Sequence, residues 1–203
     1  IGHLTLVDDD DVDLSNLGRQ FFFEGSDLEQ PKCHALAERL RRFAPHVAIT
    51  PLELRLSARN AAAIVRGHHV VLDGTDDPVT KFLLHDTCLR LAVPLVHAGV
   101  VAWRGQLCVF AGHGQPCLRC LFDEPPPRES CQETGVLGPA CGVIGAMMAS
   151  EALKIVLNLK PTLVGKMWTL DARTGAARIQ PLHARAGCVH CALAGNANAQ
   201  PTQ

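Results

Sequence analysis

The chain has 203 residues, 47% of them hydrophobic, so it can bury one full core or a core with a small satellite. Its formal net charge is −1 and only 4% of its residues are aromatic, which disfavours nucleic acid and anionic membranes as partners. No apolar run reaches the roughly 18 residues that span a membrane, and the first residues lack the basic region of a signal peptide. We therefore expect a cytoplasmic globular protein.

The first predicted strand ends in a row of acids. Apolar residues between positions 4 and 7 are followed by four consecutive aspartates, starting at Asp8. Acid at the carboxyl end of a buried parallel strand lies where open α/β sheets bind ligands, and a carboxylate there accepts hydrogen bonds from ribose hydroxyls. Further hydrogen-bonding groups and a permanent charge follow: Ser15, Asn16, Arg19 and Gln20. This stretch predicts a site for a phosphate-bearing nucleotide, although a solvated loop is the alternative.

Pro31 and Lys32 open a predicted helix that extends to residue 43. A lysine in the first turn is unfavourable, because the N-terminus of a helix attracts anions rather than cations. A phosphate facing both the lysine and the helix end would remove the conflict. An ordinary exposed lysine is the other interpretation. Three phenylalanines, 21–23, are expected to pack on the core or against another subunit.

Strands and helices alternate along the chain, which is typical of a doubly wound, mainly parallel, Rossmann-like sheet of the α/β class. Strands are expected at 47–56, 69–73, 94–97 and 106–110, with helices at 57–66, capped by Ser57, and 78–92. Arg104 and Gly105 are expected to form a turn. The run 140–158 is apolar nearly all round and predicts a buried helix, with Gly142 and Gly145 allowing close packing. Strands at 166–171 and 177–182 predict an antiparallel hairpin. We expect one domain, 1–193, and a disordered tail, 194–203.

A second acidic stretch follows the strand that ends at Asp73. Asp76 and Asp77 come after Gly74, which allows the backbone to approach a ligand closely. Asp76 can hold a divalent cation bound to phosphates. It can equally cap the helix that begins near Pro78, and the local sequence does not choose between these roles.

Nine cysteines are many for a chain without a secretion signal, and they favour metal or redox chemistry. Cys117 and Cys120 form one CxxC pair, and Cys188 and Cys191 form a second, with 67 residues between the two pairs. Two such pairs can bind one tetrahedral Zn²⁺ in a structural site with four thiolate ligands. Two separate redox pairs or two disulfides are the alternatives. The cysteines in helical or strand patterns are expected to be small buried hydrophobes: Cys33, Cys88, Cys108 and Cys141.

Cys131 lies in a proline-rich polar segment between residues 125 and 135. A thiol in such a loop is accessible, and a nearby positive charge such as Arg128 would lower its pKa and make it nucleophilic.

Together these motifs resemble those of the adenylyltransferases that activate ubiquitin-like sulfur-carrier proteins in molybdenum-cofactor and thiamine biosynthesis. The resemblance to ubiquitin-activating enzymes, which belong to the same larger group, is more distant. The resemblance extends from Leu4 to about Cys191. It rests on five motifs: LTLVDDDDVDLSNLGRQ, QPK, VVLDGTDD, the two CxxC pairs, and CQETGVLGPACGVIG. The last of these begins at Cys131 and lies between the two CxxC pairs.

The resemblance implies a nucleotidyltransferase that uses ATP to convert the Gly-Gly carboxylate of a small carrier into an acyl-adenylate, releasing pyrophosphate. It implies that Asp8 binds ribose and that Asp76 positions Mg²⁺. The groups around the phosphates would be Ser15, Asn16, Arg19 and Lys32. It further implies that Cys131 takes part in sulfur transfer from a persulfide donor protein, and that the protein is a homodimer.

The chain departs from the family pattern at its start, where the first βα unit and its glycine-rich ATP loop do not precede Leu4. We therefore expect the numbered chain to be an incomplete view of a longer active protein. A non-catalytic, zinc-stabilised docking module for a ubiquitin-like protein is the main alternative. A dinucleotide-dependent oxidoreductase is a weaker one, because the four-cysteine pattern has no place in it.

Overall fold

The computed structural model of the protein describes residues 1–111, 116–126 and 135–193. The chain divides into two compact units, Ile1–Ser57 and Ala58–Gln203. That residues 1–193 act as one domain stays a prediction. The tail expected from residue 194 lies outside the described residues.

The first unit is built on a parallel strand pair connected through a helix. Strands β1 (His3–Val7) and β2 (Ala48–Leu52) pair in parallel with Leu4 opposite Ile49. Helix α1 (Lys32–Phe43) lies between them in sequence and confirms the helix expected from Pro31 onwards. Because the strands are parallel, both carboxyl ends lie at one edge, and the acidic run begins at this edge.

The phenylalanines that follow the acidic run are not in the core. Phe21 is 63% exposed and Phe22 is 51% exposed, with the Phe22 ring edge-on to Phe43 at 6.5 Å. The prediction of core packing is therefore wrong for these two side chains. Contact of these side chains with another subunit stays a prediction.

The second unit contains a five-stranded sheet in the order β3-β4-β5-β6-β7. Its elements in chain order are α2 (Ala61–Val65), β3 (Val71–Asp73), α3 (Pro78–Leu91), β4 (Leu95–Val101), β5 (Arg104–Phe110), α4 (Leu118–Leu121), α5 (Gly138–Val156), β6 (Lys166–Asp171), β7 (Ala176–Pro181) and α6 (Val189–Leu193). Strands β3 and β4 pair in parallel, and the remaining neighbours are antiparallel. The expected hairpin of β6 and β7 is confirmed.

Two local predictions are wrong. Gly105 lies inside β5, and the turn is made instead by Ala102 and Trp103, with Ala102 at φ 51°. Helix α2 begins at Ala61 after Asn60, so Ser57 is not its cap. The glycine suggested the wrong position for the turn between β4 and β5, because the small size of Gly105 is needed for packing against Ile144 rather than for the turn.

The core of the second unit lies between the sheet and one face of α5. Ile144, Met148 and Ala152 pack there with Val96 and Leu107. By length and composition α5 could cross a membrane, yet these contacts and the buried charge of Glu151 are those of a core helix. Burial of the whole helix was nevertheless a wrong expectation. Because the sheet covers one side only, three large apolar residues are exposed: Val143, Leu153 and Val156.

Candidate functional site

Asp8, Asp10 and Lys32 form a connected group where β1 ends and α1 begins. The Lys32 ammonium lies 2.8 Å from a carboxylate oxygen of Asp10. The Lys32 backbone N–H donates to the Asp10 carbonyl at 2.9 Å, and the Asp10 N–H donates to the Asp8 carboxylate at 3.0 Å. The first-turn lysine is therefore a buried cation rather than an ordinary exposed one.

The Asp8 carboxylate is half-buried at this strand end. Burial raises its pKa, while the hydrogen bond from the Asp10 amide and the positive charge of Lys32 oppose the rise. One carboxylate oxygen from each of Asp8, Asp9 and Asp10 lies within 4.8 Å of the other two. Asp9 also faces Arg55 at 3.6 Å. Asp8 is thus a carboxylate fixed at the sheet edge where the sequence predicts a ribose ligand.

Residues 13–19 form a turn that organises the remaining candidates of the first unit. The Asp13 carboxylate accepts from the Ser15 N–H at 2.8 Å, and the Asn16 side-chain oxygen accepts from the Asp13 N–H at 3.4 Å. Arg19 donates to the Ser15 carbonyl at 2.8 Å. Hydrogen bonds from Ser15 lower the Asp13 pKa, and the charges of Lys32 and Arg19 act in the same direction. Asn16 is buried and holds the turn, whereas Arg19 keeps further guanidinium donors beyond this one bond.

Asp76 and Asp77 differ in what their side chains do. The Asp77 carboxylate caps α3, accepting from the Thr80 N–H at 3.1 Å and from its hydroxyl at 2.6 Å. Asp76 is exposed, and among the described residues its carboxylate has no hydrogen bond or ion pair. The capping role considered for Asp76 is therefore wrong, and its oxygens are available to a cation.

Asp73, the last residue of β3, is a fully buried carboxylate with several partners. It accepts from the Thr75 N–H at 3.0 Å and from the Thr75 hydroxyl at 2.8 Å. The His97 ring nitrogen Nδ1 lies 2.7 Å away and the Lys81 ammonium 3.3 Å. Lys81 also donates to the Ala98 carbonyl at 2.7 Å. Asp73 thus ties the turn that carries Asp76 to α3 and β4.

The four cysteines of the two CxxC pairs converge. Their sulfur atoms all lie within 4.8 Å of one another. Four hydrogen-bonded pairs have sulfur separations of 3.7, 3.8, 3.3 and 3.2 Å. A tetrahedral metal with bonds of about 2.3 Å separates its ligand sulfurs by about 3.8 Å, whereas a disulfide holds them near 2.05 Å. The cluster could therefore bind one metal ion, since the two pairs form a single group of four free cysteines.

The cluster favours thiolate formation at one sulfur. Burial opposes ionisation of Cys188, but hydrogen bonds from the Cys191 backbone and from the neighbouring thiols outweigh burial and lower the pKa of Cys188 below that of an ordinary thiol. Outside the cluster, burial raises the pKa values of Cys88 and Cys108 to about 12. Burial of Cys33, Cys88 and Cys108 is confirmed, while Cys141 is half-buried.

Helix α3 holds the first CxxC pair through a second set of contacts. The Leu118 N–H donates to Nε2 of the buried His85 at 3.0 Å, and Nδ1 of His85 lies 3.0 Å from Asp86. Arg119 donates to Asp86 at 2.8 Å and stacks over Phe82 at 4.8 Å. Burial by itself would raise the pKa of Asp86, but the hydrogen bonds from His85 and Arg119 outweigh burial and lower the pKa to about 2.

Several of these residues had been missed by reasoning from the sequence. Asp10 belongs to the acidic run, but the sequence does not single it out from its neighbours. Asp73 ends β3, and the rule that ligands gather at carboxyl ends of strands could have identified it, whereas His97 lies opposite Asp73 inside β4. His85 carried no signal, because a histidine in a helix does not reveal its partner. Cys131 and Arg128 lie outside the described residues.

In comparisons with known proteins, the chain is similar to proteins that are named as adenylyltransferases. The sequence pattern of the ThiF family matches residues 1–191. The adenylyltransferase and sulfurtransferase UBA4 of Yarrowia lipolytica is 39% identical over 162 residues, which is 78% of this chain and 41% of that protein. The protein MOCS3 of Xenopus laevis, with the same two activities in its name, is 38% identical over 88% of this chain and 40% of its own length. The chain spans about two fifths of the length of these two proteins.

A bacterial relative is covered more completely. The sulfur carrier protein ThiS adenylyltransferase of Escherichia coli K12 is 36% identical over 203 residues, which is 99% of this chain and 79% of that protein. The crystal structure of E. coli MccB with ATP has a TM-score of 0.81 at 18% identity, over 94% of this chain and 59% of that one. This likeness confirms the Rossmann-like α/β fold. Because the family pattern extends over nearly all residues and the bacterial relative is matched over most of its length, the chain belongs to the ThiF family.

Proposed function

We propose that this protein uses ATP to adenylate the C-terminal Gly-Gly carboxylate of a small ubiquitin-like sulfur-carrier protein. The observation that carries the proposal is the buried ammonium of Lys32, at the start of α1 and beside the acids that end β1. A cation at a helix N-terminus is suited to a polyphosphate. The substrate class comes from the relatives, which are named as adenylyltransferases, one of them for the sulfur carrier ThiS.

In the proposed reaction a carboxylate oxygen of the carrier attacks the α-phosphorus of ATP. An acyl–phosphate bond forms, the bond from the α-phosphorus to its bridging oxygen breaks, and pyrophosphate leaves with the electron pair. The carboxylate is already ionised, so no general base is needed. Both reactants are anions, and Lys32 and Arg19 would stabilise the developing charge. Asp8 would hold the ribose, with Ser15 and Asn16 near the phosphates.

Asp76 fits a role in binding Mg²⁺. Its carboxylate is exposed and has no partner in the described part of the chain, while Asp73 and Thr75 hold the turn beneath it. Oxygen ligands of this type suit Mg²⁺, which usually keeps several waters and binds through one or two carboxylates and the phosphates. When bound, the ion supplies neutralisation of phosphate charge.

Pyrophosphate–ATP exchange tests the proposal in the full-length protein with a carrier that ends in Gly-Gly. We expect carrier-dependent exchange that falls at least about 100-fold in Asp76→Ala, because a charge contact made in the transition state is lost. Glu38→Gln is the matched control, since Glu38 lies on the exposed face of α1 and pairs only with Arg42 among the described residues. Exchange without any carrier, or none with any carrier, contradicts the proposal. Carrier binding without exchange would instead support a docking module.

The four-cysteine cluster is proposed to hold Zn²⁺ in a structural role. Its separations fit tetrahedral coordination by four sulfurs, and the residues present offer no open position for a substrate. When bound, the ion would fix the two CxxC pairs to each other and add no reactive group.

The remaining assignments extend the same proposal. The Cys131 thiolate would attack the outer sulfur of a donor protein's persulfide, so that the donor's S–S bond breaks, the donor leaves as a thiol and Cys131 becomes the persulfide. Cys131→Ser should retain adenylation but lose sulfur transfer. A homodimer using the exposed segment 21–23 would be detected by sedimentation equilibrium. The activity would be cytoplasmic, in molybdenum-cofactor or thiamine biosynthesis, and identification of the carrier would separate the two pathways.

A further inference from the structure

Asp10 connects the two residues of the first unit on which the proposed nucleotide site depends most. Its backbone N–H donates to the Asp8 carboxylate at 3.0 Å, and its carbonyl accepts from the Lys32 N–H at 2.9 Å. Its own carboxylate contacts the Lys32 ammonium at 2.8 Å. The main chain of Asp10 therefore joins Asp8 to Lys32, while its side chain pairs with the ammonium.

The two members of the ion pair differ sharply in exposure. The Lys32 side chain is 10% exposed and the Asp10 side chain is 68% exposed. A buried ammonium needs an anion beside it, because an uncompensated buried charge is strongly destabilising. Lys32 is also held in the first turn of α1, where the helix dipole adds positive potential. The exposed Asp10 carboxylate can therefore be replaced by another anion more easily than the buried Lys32 ammonium can move. A carboxylate that leaves the ion pair returns directly to water.

We propose that Asp10 is a positioning residue of the nucleotide site, whose carboxylate holds the Lys32 ammonium in place and competes with a phosphate group of ATP for it. The inference rests on the proposed function, because it assigns Lys32 to the phosphates. It adds a built-in competitor: nucleotide binding at Lys32 requires release of the Asp10 carboxylate. Binding of ATP is then weaker than the cation alone would allow, and release of pyrophosphate is correspondingly easier.

Asp10→Asn separates the charge of Asp10 from its structural bonds. Asparagine retains the backbone bonds to Asp8 and Lys32, and its side-chain oxygen can still accept from the ammonium. Asp11→Asn is the matched control, because it makes the same charge change one residue away. The Asp11 carboxylate has no hydrogen bond or ion pair within the described residues, and its backbone is bridged to Pro31.

The test is the dissociation constant of Mg·ATP for the full-length protein, measured by isothermal titration calorimetry for the wild type and four variants. These are Asp10→Asn, Asp11→Asn, Lys32→Ala and the double variant Asp10→Asn/Lys32→Ala. We expect Asp10→Asn to tighten binding by about 3- to 10-fold and Asp11→Asn to change it by less than about 2-fold. Without the ammonium the competition disappears, so Asp10→Asn should have no effect in the Lys32→Ala background.

Unchanged or weaker binding in Asp10→Asn overturns the inference, as does an equal gain in the Lys32→Ala background, which would reflect general charge rather than exchange. Pyrophosphate–ATP exchange by the wild type distinguishes this failure from failure of the proposed function. If the wild type exchanges and Asp10→Asn binds no more tightly, only the inference is wrong. If the wild type neither binds Mg·ATP nor exchanges, both are wrong.

Discussion

Asp73 shows how much a single buried charge can organise. Its carboxylate is fully enclosed, and Thr75, Lys81 and His97 supply its hydrogen bonds and counter-charge. Burial by itself would raise its pKa, but the bond from His97 and the charge of Lys81 outweigh burial and lower the pKa. Asp73 is therefore ionised at neutral pH, and it fixes the turn from which Asp76 projects.

Replacing Asp73 by asparagine leaves the Lys81 ammonium, 16% exposed, without its anion. We expect the free energy of unfolding at pH 7, from urea denaturation, to fall by about 3–5 kcal/mol. Arg104→Gln, which breaks an exposed pair with Asp171 at 3.7 Å, should cost about 1 kcal/mol or less. Equal losses in the two variants would contradict a central role for Asp73.

The same carboxylate has a definite pH signature. Because its folded pKa lies below the ordinary value, its stabilising contribution is complete above about pH 4 and is lost as the pH falls through the folded pKa. The stability difference between the wild type and Asp73→Asn should shrink over that range.

Among the secondary elements, the contact between β5 and α5 determines how tightly the sheet is covered. A Cβ added at Gly105 would lie 2.5 Å from Cγ1 and Cδ1 of Ile144, which is buried in the core. At Gly145 of α5, a Cβ would meet nothing within 4 Å. The close approach expected of glycine in the helix is therefore wrong for Gly145, and it is the strand that contributes the small residue.

Gly105→Ala should destabilise the protein by about 1–3 kcal/mol in urea denaturation, because the added methyl group overpacks the core. Gly145→Ala is the matched control and should be neutral or stabilising by up to about 1 kcal/mol, since alanine favours an exposed helical position. In the double variant Gly105→Ala/Ile144→Ala the two losses should be less than additive. Additive losses would show that the two residues are not in contact.

For the whole molecule, the four-cysteine cluster is a long-range connection within the second unit. It joins Cys117 to Cys188 and Cys120 to Cys191, each 71 positions apart. Asp77 caps helix α3, and His85 and Asp86 lie along its length, so one helix connects the turn that carries Asp76 to the first CxxC pair.

We expect the purified protein to contain stoichiometric zinc, and a strong chelator to lower its urea midpoint, because the closed loop between the CxxC pairs is released. Cys120→Ser should lose most of the metal in atomic absorption measurements, whereas Cys141→Ser, outside the cluster, should retain it. Full metal content in Cys120→Ser would refute the shared site.

Much of this organisation was readable from the sequence because it is local. The helix from Lys32, the acids after β1, the hairpin of β6 and β7 and the two CxxC pairs each depend on residues a few positions apart. Periodicity and turn residues report such short-range preferences directly.

Only the tertiary structure decided which groups meet. The pairing of Lys32 with Asp10 across 22 positions, the enclosure of Asp73 by Lys81 and His97, and the approach of Gly105 to Ile144 all join separate elements. A pattern along one element shows which face is apolar, but it does not show what lies opposite that face. For the same reason the sequence predicted a nucleotide site after β1, while the ion pair of Asp10 with Lys32 became visible only when the strand end and the helix start were placed side by side.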